Sequence, residues 1–174
     1  MYKKICWILL VAVCLLFSGC WNPFSPPRAT SKKPVFLDRS TPEGLLFALV
    51  YTYNHKDIDG YLACLADSFR FEFARTDSSY LWEQGIFQLW WGKDKEELAT
   101  RNLFIERQSI ELTLATTSWY KWQSDTTIQW TRRYYTLSLD GSPPDEISGY
   151  ATFFVKQGTD LLWQIIRWVD EAKL

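Results

Sequence analysis

The sequence predicts an α+β domain in which helices pack on one face of a curved antiparallel sheet. Three observations lead there. Apolar residues return at three- and four-residue steps over 45–53 and 58–65, the period of buried helix faces. Phe69-Arg70-Phe71-Glu72-Phe73 alternates strictly, as a half-buried strand does. Four further strand candidates then crowd residues 105–169, and short connections favour antiparallel hairpins. A chain of 174 residues with 47% apolar and 22% charged residues carries about one domain and excludes disorder, collagen and coiled coil. A net charge of −1 gives no footprint for nucleic acid.

The N-terminus reads as targeting sequence. Lys3-Lys4 precede an apolar run from Ile5 to Phe17, too short for the roughly 20 residues of a spanning helix and suited to an export signal. Leu16-Phe17-Ser18-Gly19-Cys20 resembles the lipobox of bacterial lipoproteins. That resemblance implies a signal peptide over 1–19, a lipidated Cys20 and a membrane anchor of acyl chains (palmitate or a relative). The competing readings are cleavage by ordinary signal peptidase and an uncleaved anchor helix. Trp21 follows the cysteine where an inner-membrane retention signal would carry Asp, which favours an outer-membrane or cell-surface destination. Losing Lys3 and Lys4 leaves 17 bases and 20 acids, a mildly acidic mature chain with no polybasic patch for headgroups. Cys6 and Cys14 leave with the signal, so Cys64 is the only thiol in the folded part and no disulfide is expected.

Residues 20–39 contain Pro23, Pro26, Pro27 and Pro34 and read as a tether, on the order of 60 Å if fully extended. The domain is expected over 40–174. Ser40-Thr41-Pro42-Glu43 offers a capping hydroxyl, a first-turn proline and a capping-box glutamate, starting a helix that runs to Asn54. Asp57 caps a second, shorter helix to Asp67, and the strand at 69–73 follows. Residues 76–93 are irregular. Asp94 and Glu97 repeat the capping-box spacing and start a third helix to Phe104. Strands are then expected over 105–115, 126–139, 149–156 and 161–169.

The stretches Thr41-Pro42-Glu43-Gly44-Leu45, Tyr53-Asn54, Asp57-Ile58-Asp59, Tyr61-Leu62 and Phe69-Arg70-Phe71 resemble the opening of nuclear-transport-factor-2-like domains, including the SnoaL-like branch. Residues 162–170 are similar to their last strand. The resemblance covers roughly 40–174 and implies a cone-shaped sheet with three helices on its concave face. It further implies a pocket between sheet and helices, and pairing as a homodimer through the sheet. Fold alone does not decide function.

Chemistry-bearing patterns are sparse. No nucleotide, metal or nucleophile motif stands in the sequence, and no cofactor or metal is expected. The one histidine, His55, falls in the turn between the first two helices, a place for a surface or turn-stabilising role. Strand carboxylates are few. Glu72 and Glu111 alternate with core residues and should face outward, Glu106 lies in the 105–115 candidate, and Asp170 should pair with Arg167 or another surface base. The candidate pocket or partner surface is the aromatic cluster Tyr80, Trp82, Phe87, Trp90 and Trp91, with Arg132 or Arg133 as polar anchor. The two arginines must face opposite sides of their strand, and pairing with a glutamate competes with holding an acidic ligand. The competing reading is that the tryptophans fill the core or a dimer interface, since each buries about 150–250 Å².

The functional expectation is a membrane-anchored, non-catalytic module that binds a small apolar ligand or an envelope protein. The alternative is a small isomerase, dehydratase or hydrolase of the SnoaL-like type acting in the cone.

Overall fold

Residues 37–73, 82–83, 88–141 and 144–173 are described by the structure, a computed structural model. The first helix, α1 (Pro42–Asn54), starts where the extended Thr41 accepts the Gly44 N–H on its hydroxyl at 3.0 Å. Thr41 rather than Ser40 is therefore the cap, and Glu43 leaves the expected capping box to meet the sheet. Leu45, Leu46, Ala48 and Leu49 face the core, and burial of each leucine contributes roughly 1.5–3 kcal/mol. Lys56, at φ 54°, turns the chain out of the helix. Asp57 then caps α2 (Ile58–Ala63), accepting from the Gly60 N–H at 3.0 Å. A Cβ on Gly60 would stand 2.4 Å from the Asp57 carboxylate and 2.6 Å from Thr52, so the two helices need glycine there.

The second helix is shorter than its sequence suggests. Leu65 already belongs to β1 (Leu65–Phe73), where it pairs with Ile165. A short β2 (Trp90–Gly92) leads into α3 (Lys93–Glu106). The expected Asp94–Glu97 capping box does not form. Gly92 is the cap, without a side-chain bond, and Asp94 sits in the first turn where its charge suits the helix dipole. The helix also runs through Glu106, so the next strand is β3 (Ile110–Leu114) and not 105–115. β4 (Tyr120–Lys121), β5 (Ile128–Gly141), β6 (Pro144–Gln157) and β7 (Trp163–Lys173) complete the chain.

The sheet has the order β2-β1-β7-β6-β5-β3, with β4 also on β5. It is curved, unclosed and mixed, which corrects the all-antiparallel expectation. β5, β6 and β7 are hairpin-linked and antiparallel, whereas β1 lies parallel to β7. No hairpin joins β1 to β7, so their relative direction is free of that constraint. The helix-facing side carries Phe69, Phe71, Ala151, Phe153, Val155 and Ile165, all buried. Leu37 packs against this core and the Arg39 carbonyl accepts from Trp163 N at 2.9 Å, so packing starts a little before Ser40. Asn54 closes the free edge of β3. Its amide donates to the Leu112 carbonyl at 3.0 Å and accepts the Leu112 N–H at 2.7 Å, as a neighbouring strand would.

Candidate functional site

A cavity of about 290 Å³ lies between α3 and the concave face of the sheet. Strand register builds its floor. Phe71 stands opposite Trp91 on one neighbour and Trp168 on the other, so three aromatic residues form a row across β2, β1 and β7. Trp91 stacks on Phe71 with centroids 4.5 Å apart and planes 9° off parallel. Two residues further along β7, and so on the same side as Trp168, Asp170 enters the wall. Tyr53 and Tyr61 close one end from the two N-terminal helices, and Tyr135, Leu112 and Leu137 close the sheet side. Ala99, Thr100 and Leu103 of α3 form the roof, with Ala99 exposed at the rim.

Glu96 is the buried carboxylate of this cavity, 7% exposed. One of its oxygens accepts from Tyr61 Oη at 2.5 Å and Thr100 Oγ1 at 3.1 Å, and the other from Trp91 Nε1 at 2.8 Å. Charge-assisted bonds of this kind offset the cost of burying the group. Burial, aided by the Glu96 charge, pushes the Tyr53 and Tyr61 phenols up, so both remain donors at neutral pH. Trp168 Nε1 is buried with no acceptor among the described residues, a polar group that calls for a partner.

The predicted site residues separate. Among the described residues of the aromatic cluster, Trp91 alone lines the cavity. Trp90, one residue earlier on the strand, faces the opposite side, 44% exposed beneath the Arg70 guanidinium at 4.4 Å. Trp82 is 59% exposed, and Tyr80 and Phe87 lie outside the described residues. Arg132 lies on the outer face, paired with Glu171 and 3.8 Å over the Tyr150 ring. Arg133 faces inward but at a different place: its guanidinium donates to both Glu43 oxygens at 3.0 and 2.5 Å. Each arginine therefore has a glutamate partner, and neither lines the aromatic cavity. Glu43 is held below the usual carboxylate range, chiefly by the bond from Arg133.

The surface expectation for Asp170 is corrected. Asp170 joins Trp168 in the cavity wall, while Arg167 lies on the outer face and donates to Glu72 at 2.5 Å. Glu72 does face outward, bridging Arg70 and Arg167. Glu106 is a helical residue and Glu111 is exposed. His55 caps α1, with Nδ1 2.8 Å from the Tyr51 carbonyl and its ring stacked on Tyr51. Glu96 was missed because Lys93-Asp94-Lys95-Glu96-Glu97 reads as a solvated charge run. Its spacing to Thr100 and Leu103 places it on the helix's inner stripe, which is the signal that could have found it.

A second, wider groove of about 410 Å³ runs along α1 beside β3, with Glu43 and Arg133 in it. Those two groups satisfy each other, and Phe47 beside them is largely solvent-exposed. The aromatic cavity is the better-built site.

No family profile and no curated protein sequence matches the chain. Solved structures do. A conserved protein from Planctomyces limnophilus is similar with a TM-score of 0.58 at 14% identity, over 75% of this chain and 91% of that one. A nuclear-transport-factor-2-like protein of unknown function from Pseudomonas putida has a TM-score of 0.56 at 16% identity, covering 75% and 83%. A ketosteroid-isomerase-like protein from Erwinia carotovora atroseptica gives 0.56 at 12%, covering 80% and 99%. These likenesses show the fold, a nuclear-transport-factor-2-like α+β architecture.

Proposed function

We propose that the chain is a lipid-anchored protein of the extracytoplasmic membrane face, whose domain binds a small apolar molecule without transforming it. The observation that carries the binding reading is the cavity itself: a concave site with aromatic walls and a few convergent polar groups is how small-molecule sites are built. Glu96 supports binding over turnover, because both its oxygens already accept bonds from the protein. The anchor rests on the lipobox-like residues 16–20 and on the tether behind them. Cys20→Ser should abolish labelling by radioactive palmitate and leave an unprocessed precursor; undiminished labelling would remove the anchor from the proposal. Native mass spectrometry of the protein extracted from its own membranes should show a small bound mass. The outer face of the sheet, with Trp130, Tyr134 and Phe154, is where a homodimer would pair, which sedimentation equilibrium tests.

A second reading, an isomerase, dehydratase or hydrolase, draws on one observation. Two carboxylates, Glu96 and Asp170, stand in a cavity with Tyr53 and Tyr61, and such pairs perform acid–base chemistry. Recovery of the released molecule chemically unchanged after prolonged incubation supports binding; a new product that disappears with Asp170→Asn supports the enzyme.

A further inference from the structure

The polar groups in the wall of the aromatic cavity divide by what they already bind. Both Glu96 oxygens accept bonds from the protein, and Asp170 too is engaged within the chain. The hydroxyls of Tyr61 and Thr100 and the Trp91 indole are donors spent on Glu96. Tyr53 differs. Its ring packs edge-on against Tyr61 and Phe104, with centroids 5.4 and 5.2 Å away, and its hydroxyl has no hydrogen-bond partner among the described residues. Burial holds the phenol in its protonated form, so the group is a donor. Trp168 Nε1, buried and likewise without a partner among the described residues, can only donate. The place of the Tyr53 hydroxyl is fixed in advance, because the next residue, Asn54, is tied to Leu112 by two hydrogen bonds. A ligand rich in donors competes with three protein donors for Glu96, and an anion meets carboxylates in the wall. A neutral oxygen acceptor instead meets an idle hydroxyl.

We infer that the ligand of this cavity is an uncharged apolar molecule bearing an oxygen acceptor, a carbonyl or an ether, and that the Tyr53 hydroxyl donates to that oxygen. The inference rests on the binding reading above and narrows its ligand class.

The test uses two probes of nearly one shape, acetophenone and α-methylstyrene, in which a CH₂ group replaces the carbonyl oxygen, with benzoate as the anion. Full-length protein in phosphatidylcholine nanodiscs is titrated by calorimetry, with empty discs as blank. The two neutral probes differ in hydration, so the ratio of their dissociation constants is compared between wild type and Tyr53→Phe, which cancels that difference. The substitution should weaken acetophenone relative to α-methylstyrene by about three- to tenfold, the scale of one neutral hydrogen bond, and benzoate should bind weakest to wild type. Because the hydroxyl has no partner among the described residues, Tyr53→Phe should melt as wild type does. Infrared spectra of acetophenone isotope-labelled at the carbonyl carbon give a second reading that needs no variant: the stretch of the protein-bound probe should lie below its value in hexane. An unchanged ratio in folded Tyr53→Phe, or a bound stretch at the hexane value, overturns the assignment and leaves the apolar binding reading standing. Tighter binding of benzoate than of acetophenone overturns the uncharged class. Binding of none of the three overturns the assignment and the binding reading together.

Discussion

Among the described residues Arg133 is the largest fully buried side chain, 2% exposed, and its charge is balanced by Glu43. Glu43→Ala removes both bonds to the guanidinium and the acceptor of the Trp119 indole at 3.0 Å. Breaking a buried ion pair by deleting one partner costs about 3–5 kcal/mol, because the remaining charge keeps its desolvation penalty. Here the carboxylate side is 55% exposed, so water reaches the vacated place and the expected loss is reduced to about 2–3 kcal/mol. At roughly 3 °C per kcal/mol for a domain of this size, Tm should fall by about 6–9 °C. Adding Arg133→Met should restore most of that loss, since an apolar replacement removes the orphaned charge. The pH dependence follows from the lowered Glu43 carboxyl. Its contribution is full above the unfolded value of about 4.3 and is lost as pH falls through the lower folded value. The gap between wild type and Glu43→Gln should therefore close below about pH 4. Thermal melts by circular dichroism read all of this. A Glu43→Ala shift under about 2 °C, or a double variant no more stable than the single, refutes the reasoning.

Other expectations follow from particular contacts. Asn54→Ala strips the Leu112 N–H and carbonyl of their partner and should cost about 2 kcal/mol in denaturant melts, with amide exchange at Leu112 accelerated. Burial pushes the Cys64 thiol up to about 11, so iodoacetamide at pH 8 should modify it only after unfolding. Trp82→Ala should change stability by less than about 0.5 kcal/mol, whereas Trp91→Ala, which removes a stacked ring and a Glu96 donor, should cost about 3–4 kcal/mol by the same melts.

Much of the frame was legible because local chemistry and packing agree there. The 3.6 period of residues 45–53, the Asp57 cap and the alternation at 69–73 each appear where the sequence places them. Two features were not local. The parallel pairing of β1 with β7 joins segments about a hundred residues apart, and no turn signal encodes it. Glu43, predicted as a helix cap, is drawn to the sheet because Arg133 offers a stronger, buried partner than a backbone amide does. The cavity was the hardest part to read. Its carboxylates sit on different elements, one inside a charge run and one near a strand end, and only tertiary packing gathers them. Among the aromatic candidates, alternation along β2 sends Trp91 inward and Trp90 outward, a choice that needs the strand register.

The central claim is that the cavity under α3 holds a small molecule, and blocking it tests this most directly. Ala99 lies at the rim and is exposed, so a larger side chain there can fill the opening without opening the core. Native mass spectrometry of Ala99→Trp and wild-type protein, extracted alike from membranes, is the measurement. The account predicts a bound small mass on wild type and none on Ala99→Trp, with melting temperatures that agree within about 3 °C. The same bound mass on both proteins, or none on either, contradicts it.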